Sequence, residues 1–183
     1  MRSDRIRALA LIPLFTVLIC ICSMICIPFP LPFTLQTFGI FFACSFLGGK
    51  KGLLCVLLYI VLGLTGLPVF SGFGGGFGAL LQPSGGFILG FLFIPLIYLI
   101  FERTAKKGTL PCALICLAGL ALCYLTGTVW YTFVYLKNAS ASGILAALSV
   151  CVLPFIVPDI IKLVLALLLG DRIKNIVNRT PRG

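Results

Sequence analysis

Asp159 and Lys162 lie close together in an otherwise apolar stretch, Leu153-Pro154-Phe155-Ile156-Val157-Pro158-Asp159-Ile160-Ile161-Lys162-Leu163-Val164-Leu165. A charge at membrane depth costs a few kcal/mol on insertion scales (about 2.5–3.5 at a helix centre), so such residues face an interior and usually serve a function. Spacing of i to i+3 puts both side chains on one helix face, one turn apart. An ionised carboxylate only accepts hydrogen bonds and an ammonium only donates them. Two uses follow. The pair is either a structural ion tie or a polar anchor for a ligand entering from one side of a bilayer.

Other chemistries find little support. The nine cysteines all fall in apolar runs, no CxxC pair occurs and histidine is absent, so no metal site is expected and the cysteines read as small hydrophobes. A phosphate cradle needs GxxxxGK[ST]; Gly48-Gly49-Lys50-Lys51 lacks both its spacing and its hydroxyl.

The elements that must position the pair are membrane spans. Hydrophobic residues make up 61% of the 183, charged residues 10%, and mean hydropathy is +1.22. No soluble core needs that composition, and a span needs about 20 residues, so one all-α transmembrane domain over residues 1–183 is expected, with roughly six spans. Continuous apolar runs exclude the alternation of a membrane β-barrel. The formal charge of +10 does not mark a nucleic-acid surface. Its basic residues cluster at every second end of the runs: Arg2, Arg5 and Arg7; Lys50 and Lys51; Arg103, Lys106 and Lys107; Arg172, Lys174, Arg179 and Arg182. The positive-inside rule then places both termini in the cytoplasm.

Spans are expected at about 8–27, 35–47, 53–67, 87–101, 110–136 and from Pro158 to 176. Pro28-Phe29-Pro30-Leu31-Pro32 cannot continue the first helix and reads as an outer loop tucked into protein. Pro158 suits a first helical turn, so the last span is started there, after a short outer helix at 144–152. Asp159 and Lys162 then fall near its outer end. The loop at 68–86 interleaves glycines with Phe70, Phe73 and Phe77, which suggests an apolar lid folding over a site. Tyr124, Trp130, Tyr131 and Tyr135 read as an interfacial aromatic belt, with a stacking role open to one of them.

Five segments in order resemble one family: Pro32-Phe33-Thr34-Leu35-Gln36, Gly66-Leu67-Pro68-Val69-Phe70, Pro83-Ser84-Gly85-Gly86-Phe87, Gly90-Phe91, and Pro154-Phe155 with Pro158-Asp159 and Lys162. Over nearly its whole length the chain resembles the BioY proteins, biotin-binding S-components of energy-coupling factor (ECF) transporters. The resemblance implies a six-helix S-component fold in a bacterial plasma membrane, with biotin held near the outer face. It also implies partnership with a transmembrane coupling subunit and two ATPase subunits, no enzyme activity, and no cofactor besides biotin as transported ligand. Asp159 and Lys162 match pocket positions, and the glycine-rich loop matches the family's lid, with Gly74 standing where some members carry asparagine and Ile88 where some carry arginine.

Biotin offers ureido N–H donors, a ureido oxygen, an apolar sulfur ring and a carboxylate tail. Asp159 would accept from the N–H groups; Lys162 would donate to the ureido oxygen or to the carboxylate. Phe70, Phe73, Phe77 and Phe87 are candidate walls, and Thr34, Gln36 and Gln82 candidate neutral polar partners. An S-component for another vitamin, or a structural membrane protein, are the alternatives.

Overall fold

The computed structural model describes residues 2–27, 31–104, 108–137 and 141–179. The expected loop residues 28–30, the basic residues Lys106 and Lys107, Arg182 and the polar loop residues 138–140 lie outside these. Helix α1 spans Arg2–Met24, α2 Gln36–Leu47, α3 Gly49–Leu64, α4 Gly85–Gly90, α5 Phe93–Phe101, α6 Thr109–Trp130, α7 Ala141–Cys151 and α8 Leu153–Arg179. Two-residue strands β1 (Cys26–Ile27) and β2 (Phe33–Thr34) pair antiparallel, with Cys26 opposite Thr34. Because α4 and α5 are two residues apart and act as one broken rod, six rods cross the molecule among the described residues: α1, α2, α3, α4–α5, α6 and α8. Helix α7 is an additional short element.

Tight connections set this packing. Gly48 alone links α2 to α3, at a φ of +85° that favours glycine. The Glu102 carboxylate accepts the Gly49 N–H at 2.7 Å, an anion at the positive end of α3. Helix α8 packs chiefly on α2, and α6 chiefly on α4 and α5. The second contact is close because a methyl group on Gly127 would overlap the Phe87 ring. Inside, Ile19, Ile40, Phe41, Val56, Tyr59 and Ile94 are fully buried. Outside, the long helices present large apolar residues, such as Leu114 (60% exposed) on α6 and Ile161 (55%) on α8. The α6 stretch and the α7–α8 stretch are long and apolar enough to cross a bilayer. Such an exterior suits lipid as solvent.

Several expected boundaries shift. The helix carrying the charged pair begins at Leu153, not Pro158, and Pro158 lies inside it. Pro154 takes the first-turn position, where its missing N–H would have had no partner anyway. Pro158 removes one further bond, to the Pro154 carbonyl, without ending the helix. Helix α7 runs from Ala141 to Cys151, with only Val152 between it and α8. Lys50 and Lys51 stand in the first turn of α3 instead of ahead of it.

Candidate functional site

The site is built from the hairpin outward. The short β1–β2 pairing turns the chain back at the end of α1, and the Leu35 N–H bonds to the Cys22 and Ile25 carbonyls at 3.1 and 3.2 Å. This holds Phe33 and Thr34 against the start of α8 and brings Gln36 and Thr37 into the first turn of α2. Opposite them, α8 supplies Asp159 and Lys162, which are 3% and 5% exposed.

Lys162 Nζ donates to Asp159 Oδ1 at 2.8 Å and to the Thr34 carbonyl at 2.7 Å. The ammonium also stands 4.1 Å from the Phe33 ring centroid, a cation–π contact, and Phe33 in turn stacks on Phe155. Asp159 Oδ1 accepts a second bond from the Thr37 hydroxyl at 2.8 Å, and Oδ2 accepts one from the Tyr124 hydroxyl of α6 at 2.6 Å. A carboxylate offers about four acceptor sites and an ammonium three donors. Three of the first are filled, and two of the second reach oxygens, the ring taking the remaining side. The pair is therefore well satisfied, as a desolvated ion pair must be. Residual capacity is one acceptor direction on Asp159, and on Lys162 the N–H that faces only the Phe33 ring.

Behind the pair runs a neutral chain. The Thr34 hydroxyl donates to Gln36 Oε1 at 2.9 Å, and Gln36 Nε2 donates to the hydroxyl of buried Tyr59 at 2.6 Å. Ser23 donates to the carbonyls of Cys20 and Val69, the latter at the base of the glycine-rich loop. Polar residues at this depth are thus linked rather than isolated.

A cavity opens beside the pair. Thr34, Gln36, Thr37, Tyr124, Asp159 and Lys162 give its polar lining, Phe87, Ile88, Phe91, Leu120 and Phe155 its apolar lining, and Ser71 and Ser84 reach it from the loop and the start of α4. Of the expected site residues, Thr34, Gln36, Phe87, Asp159 and Lys162 come together here. Phe73, Gly74, Phe77 and Gln82 do not line it. Phe73 and Phe77 point outward, 66% and 74% exposed, and Gln82 is exposed as well. Phe70 turns inward instead, edge-on to Tyr59 at 5.4 Å, over Gly63, where a side chain would displace it.

Thr37 and Tyr124 are site residues that the sequence reading does not include. Thr37 directly follows Thr34-Leu35-Gln36, so helical phase from Gln36 could have included it. Tyr124 was assigned to an interfacial belt. It sits on the cavity instead, and its only sequence signal was a polar-tipped side chain well inside an apolar run.

Fold and site together define a small, predominantly helical membrane protein with a buried, hydrogen-bonded ion pair on the wall of an interhelical cavity. That architecture suits reversible capture of a compact polar ligand. The chain belongs to the BioY family, matched over residues 1–179. It is 39% identical over 165 residues to the biotin transporter BioY of Thermotoga maritima, across 89% of this chain and 93% of that protein. It is 35% identical over 171 residues to the probable biotin transporter BioY of Pyrococcus horikoshii, across 92% and 97%. A 2.1 Å crystal structure of the S-component for biotin from an ECF-type ABC transporter superposes with a TM-score of 0.82 at 28% identity, covering 96% of this chain and 94% of that one.

Proposed function

We propose that this chain captures biotin as the S-component of an ECF-type ABC importer. The observation that carries the reading is the Asp159–Lys162 pair, buried yet lining a cavity, in a chain whose relatives are biotin transporters. On one edge of a ureido ring an N–H donor stands beside the carbonyl oxygen. Asp159 and Lys162 present the complementary acceptor and donor side by side, Asp159 with one acceptor direction unused and Lys162 with one N–H turned only to the Phe33 ring. Asp159 accepts the ureido N–H, and Lys162 donates to the ureido oxygen. Charge-assisted bonds of this kind are roughly twice as strong as neutral ones, and a site built for them rejects ligands lacking the partner. Phe87, Phe91 and Phe155 enclose the apolar ring system.

No step in this scheme changes a covalent bond, and the sequence contains no GxxxxGK[ST] motif. Hydrolysis belongs to two ATPase subunits, coupled through a separate transmembrane subunit. The chain crosses a bacterial plasma membrane six times with both termini in the cytoplasm. The basic clusters support that orientation, which puts the hairpin and the cavity at the outer face.

Binding of radiolabelled biotin to the purified protein tests the proposal. Saturable binding in the nanomolar range, about −12 kcal/mol, is expected and is not what a scaffold protein would give by accident. No saturable binding by folded protein would leave the pair as a structural tie.

A further inference from the structure

Given the biotin reading, the charge inventory around the cavity bears on the other end of the ligand. Two charged residues line the cavity, Asp159 and Lys162, and they neutralise each other at 2.8 Å. Among the described residues no further cation lines it. Between Arg7 and Arg103 the basic residues are Lys50 and Lys51 alone, both in the first turn of α3. The hairpin, the glycine-rich loop and α4 contain no charged residue. Between Gly108 and Gly170 the cations are Lys162 and Lys137, and Lys137 is exposed beyond α6 and does not line the cavity.

The unengaged polar side chains on this wall are hydroxyls. Thr34, Gln36, Thr37 and Tyr124 are committed to one another, to Tyr59 or to Asp159. Ser71 and Ser84 reach the cavity and make no side-chain hydrogen bond among the described residues. A hydroxyl can donate to a carboxylate oxygen or to a carboxamide oxygen, more strongly to the charged one, and it also accepts from an amide N–H. A buried carboxylate without a countercharge carries a desolvation penalty that a neutral amide escapes. A tail that reaches water at the cavity mouth is not discriminated there at all. By neither route does the wall give the carboxylate a countercharge that would set it above the amide: a buried tail loses its stronger hydrogen bond to desolvation, and an exposed one is not discriminated.

From this neutrality we infer that the substrate class of the site extends to biotin carboxamides, with selectivity residing at the ureido ring. The inference rests on the biotin reading.

Competition of biotin and biotinamide against radiolabelled biotin, on the full chain in lipid nanodiscs, tests it. Biotinamide should bind within about tenfold of biotin, because a site with no group dedicated to the carboxylate has little with which to reject its isostere. Placing a cation on the wall with Ser84→Lys should shift the preference toward biotin by about tenfold or more, through a new charge-assisted bond. A loss of more than about a hundredfold for biotinamide on the wild-type chain overturns the inference while leaving biotin capture standing. Failure of both compounds to bind removes the biotin reading and the inference with it.

Discussion

Asp159 and Asp171 stand on the same helix, twelve residues and about 18 Å apart, yet they are stabilised differently. Asp159 is buried, and it is met by an ammonium and by the hydroxyls of Thr37 and Tyr124. Asp171 is only half-buried and among the described residues accepts one hydroxyl, that of Thr109, at 2.7 Å. Glu102, also half-buried, accepts a single backbone N–H among them. Where water reaches a carboxylate, one protein donor suffices because solvent supplies the rest. In the helix interior protein groups must do the whole task, so each becomes costly to remove. The number of partners around an acid therefore marks where the chain has made itself independent of water, and hence where a ligand can substitute for water.

The largest effects should follow breaking the ion pair. Lys162→Met leaves Asp159 buried without its countercharge, which typically costs 3–5 kcal/mol, so a marked fall in melting temperature in detergent is expected along with lost binding. Asp159→Asn keeps the shape but adds donors where Lys162 and two hydroxyls already donate; titration calorimetry should show about thirtyfold weaker biotin binding or worse, roughly 2–5 kcal/mol. The two losses should not add, because both residues share one turn and one ligand. Wild-type affinity in folded Asp159→Asn would make the pair purely structural and erase the functional half of the contrast.

A packing change comes next. Gly127→Ala drives a methyl group into the Phe87 ring, which lines the cavity. Overpacking of this sort costs about 1–3 kcal/mol, so thermal melting should drop and biotin affinity should fall with it. An unchanged melting temperature would mean that α4 and α6 approach less closely than described.

Tyr124→Phe removes one of the three donors to Asp159 and nothing else of size. Loss of a hydrogen bond to a charged group is worth about 1.5–3 kcal/mol, placing the expected drop in affinity between roughly tenfold and a hundredfold. If affinity is unaffected, Thr37 and Lys162 hold the carboxylate unaided.

The smallest effects belong to the water-solvated acids. Glu102→Gln and Asp171→Asn should each change stability by about 1 kcal/mol or less and leave biotin affinity alone. A large loss of binding in either would show that the two ends of the bundle are energetically coupled, and the comparison above would fail.

Much of this organisation was legible along the chain because it depends on local physics. Membrane class follows from composition, and the six rods from apolar run length against bilayer thickness. That Asp159 and Lys162 face the same way is a matter of helical period alone. The break after the first helix follows from the prolines at 28–32, since proline supplies no donor. One local rule misled. A start at Pro158 reflects the proline penalty but leaves the backbone groups of five residues, 153–157, without helical partners where lipid cannot pair them; the helix therefore extends back to Leu153.

What the tertiary structure decided is everything that joins distant segments. Thr37 lies 122 residues from Asp159, the Thr34 carbonyl 128 from Lys162, and Tyr124 is 35 away on another helix. Nothing in residue type distinguishes Phe70, which turns in over Gly63, from Phe73 and Phe77, which turn out. Their directions depend on where the loop backbone crosses α3, and that is set by how the helices pack. Spacing along a helix fixes which side chains share a face. Which partners that face meets depends on contacts between segments far apart in the chain, each specified by shape and hydrogen-bonding fit and by no local pattern.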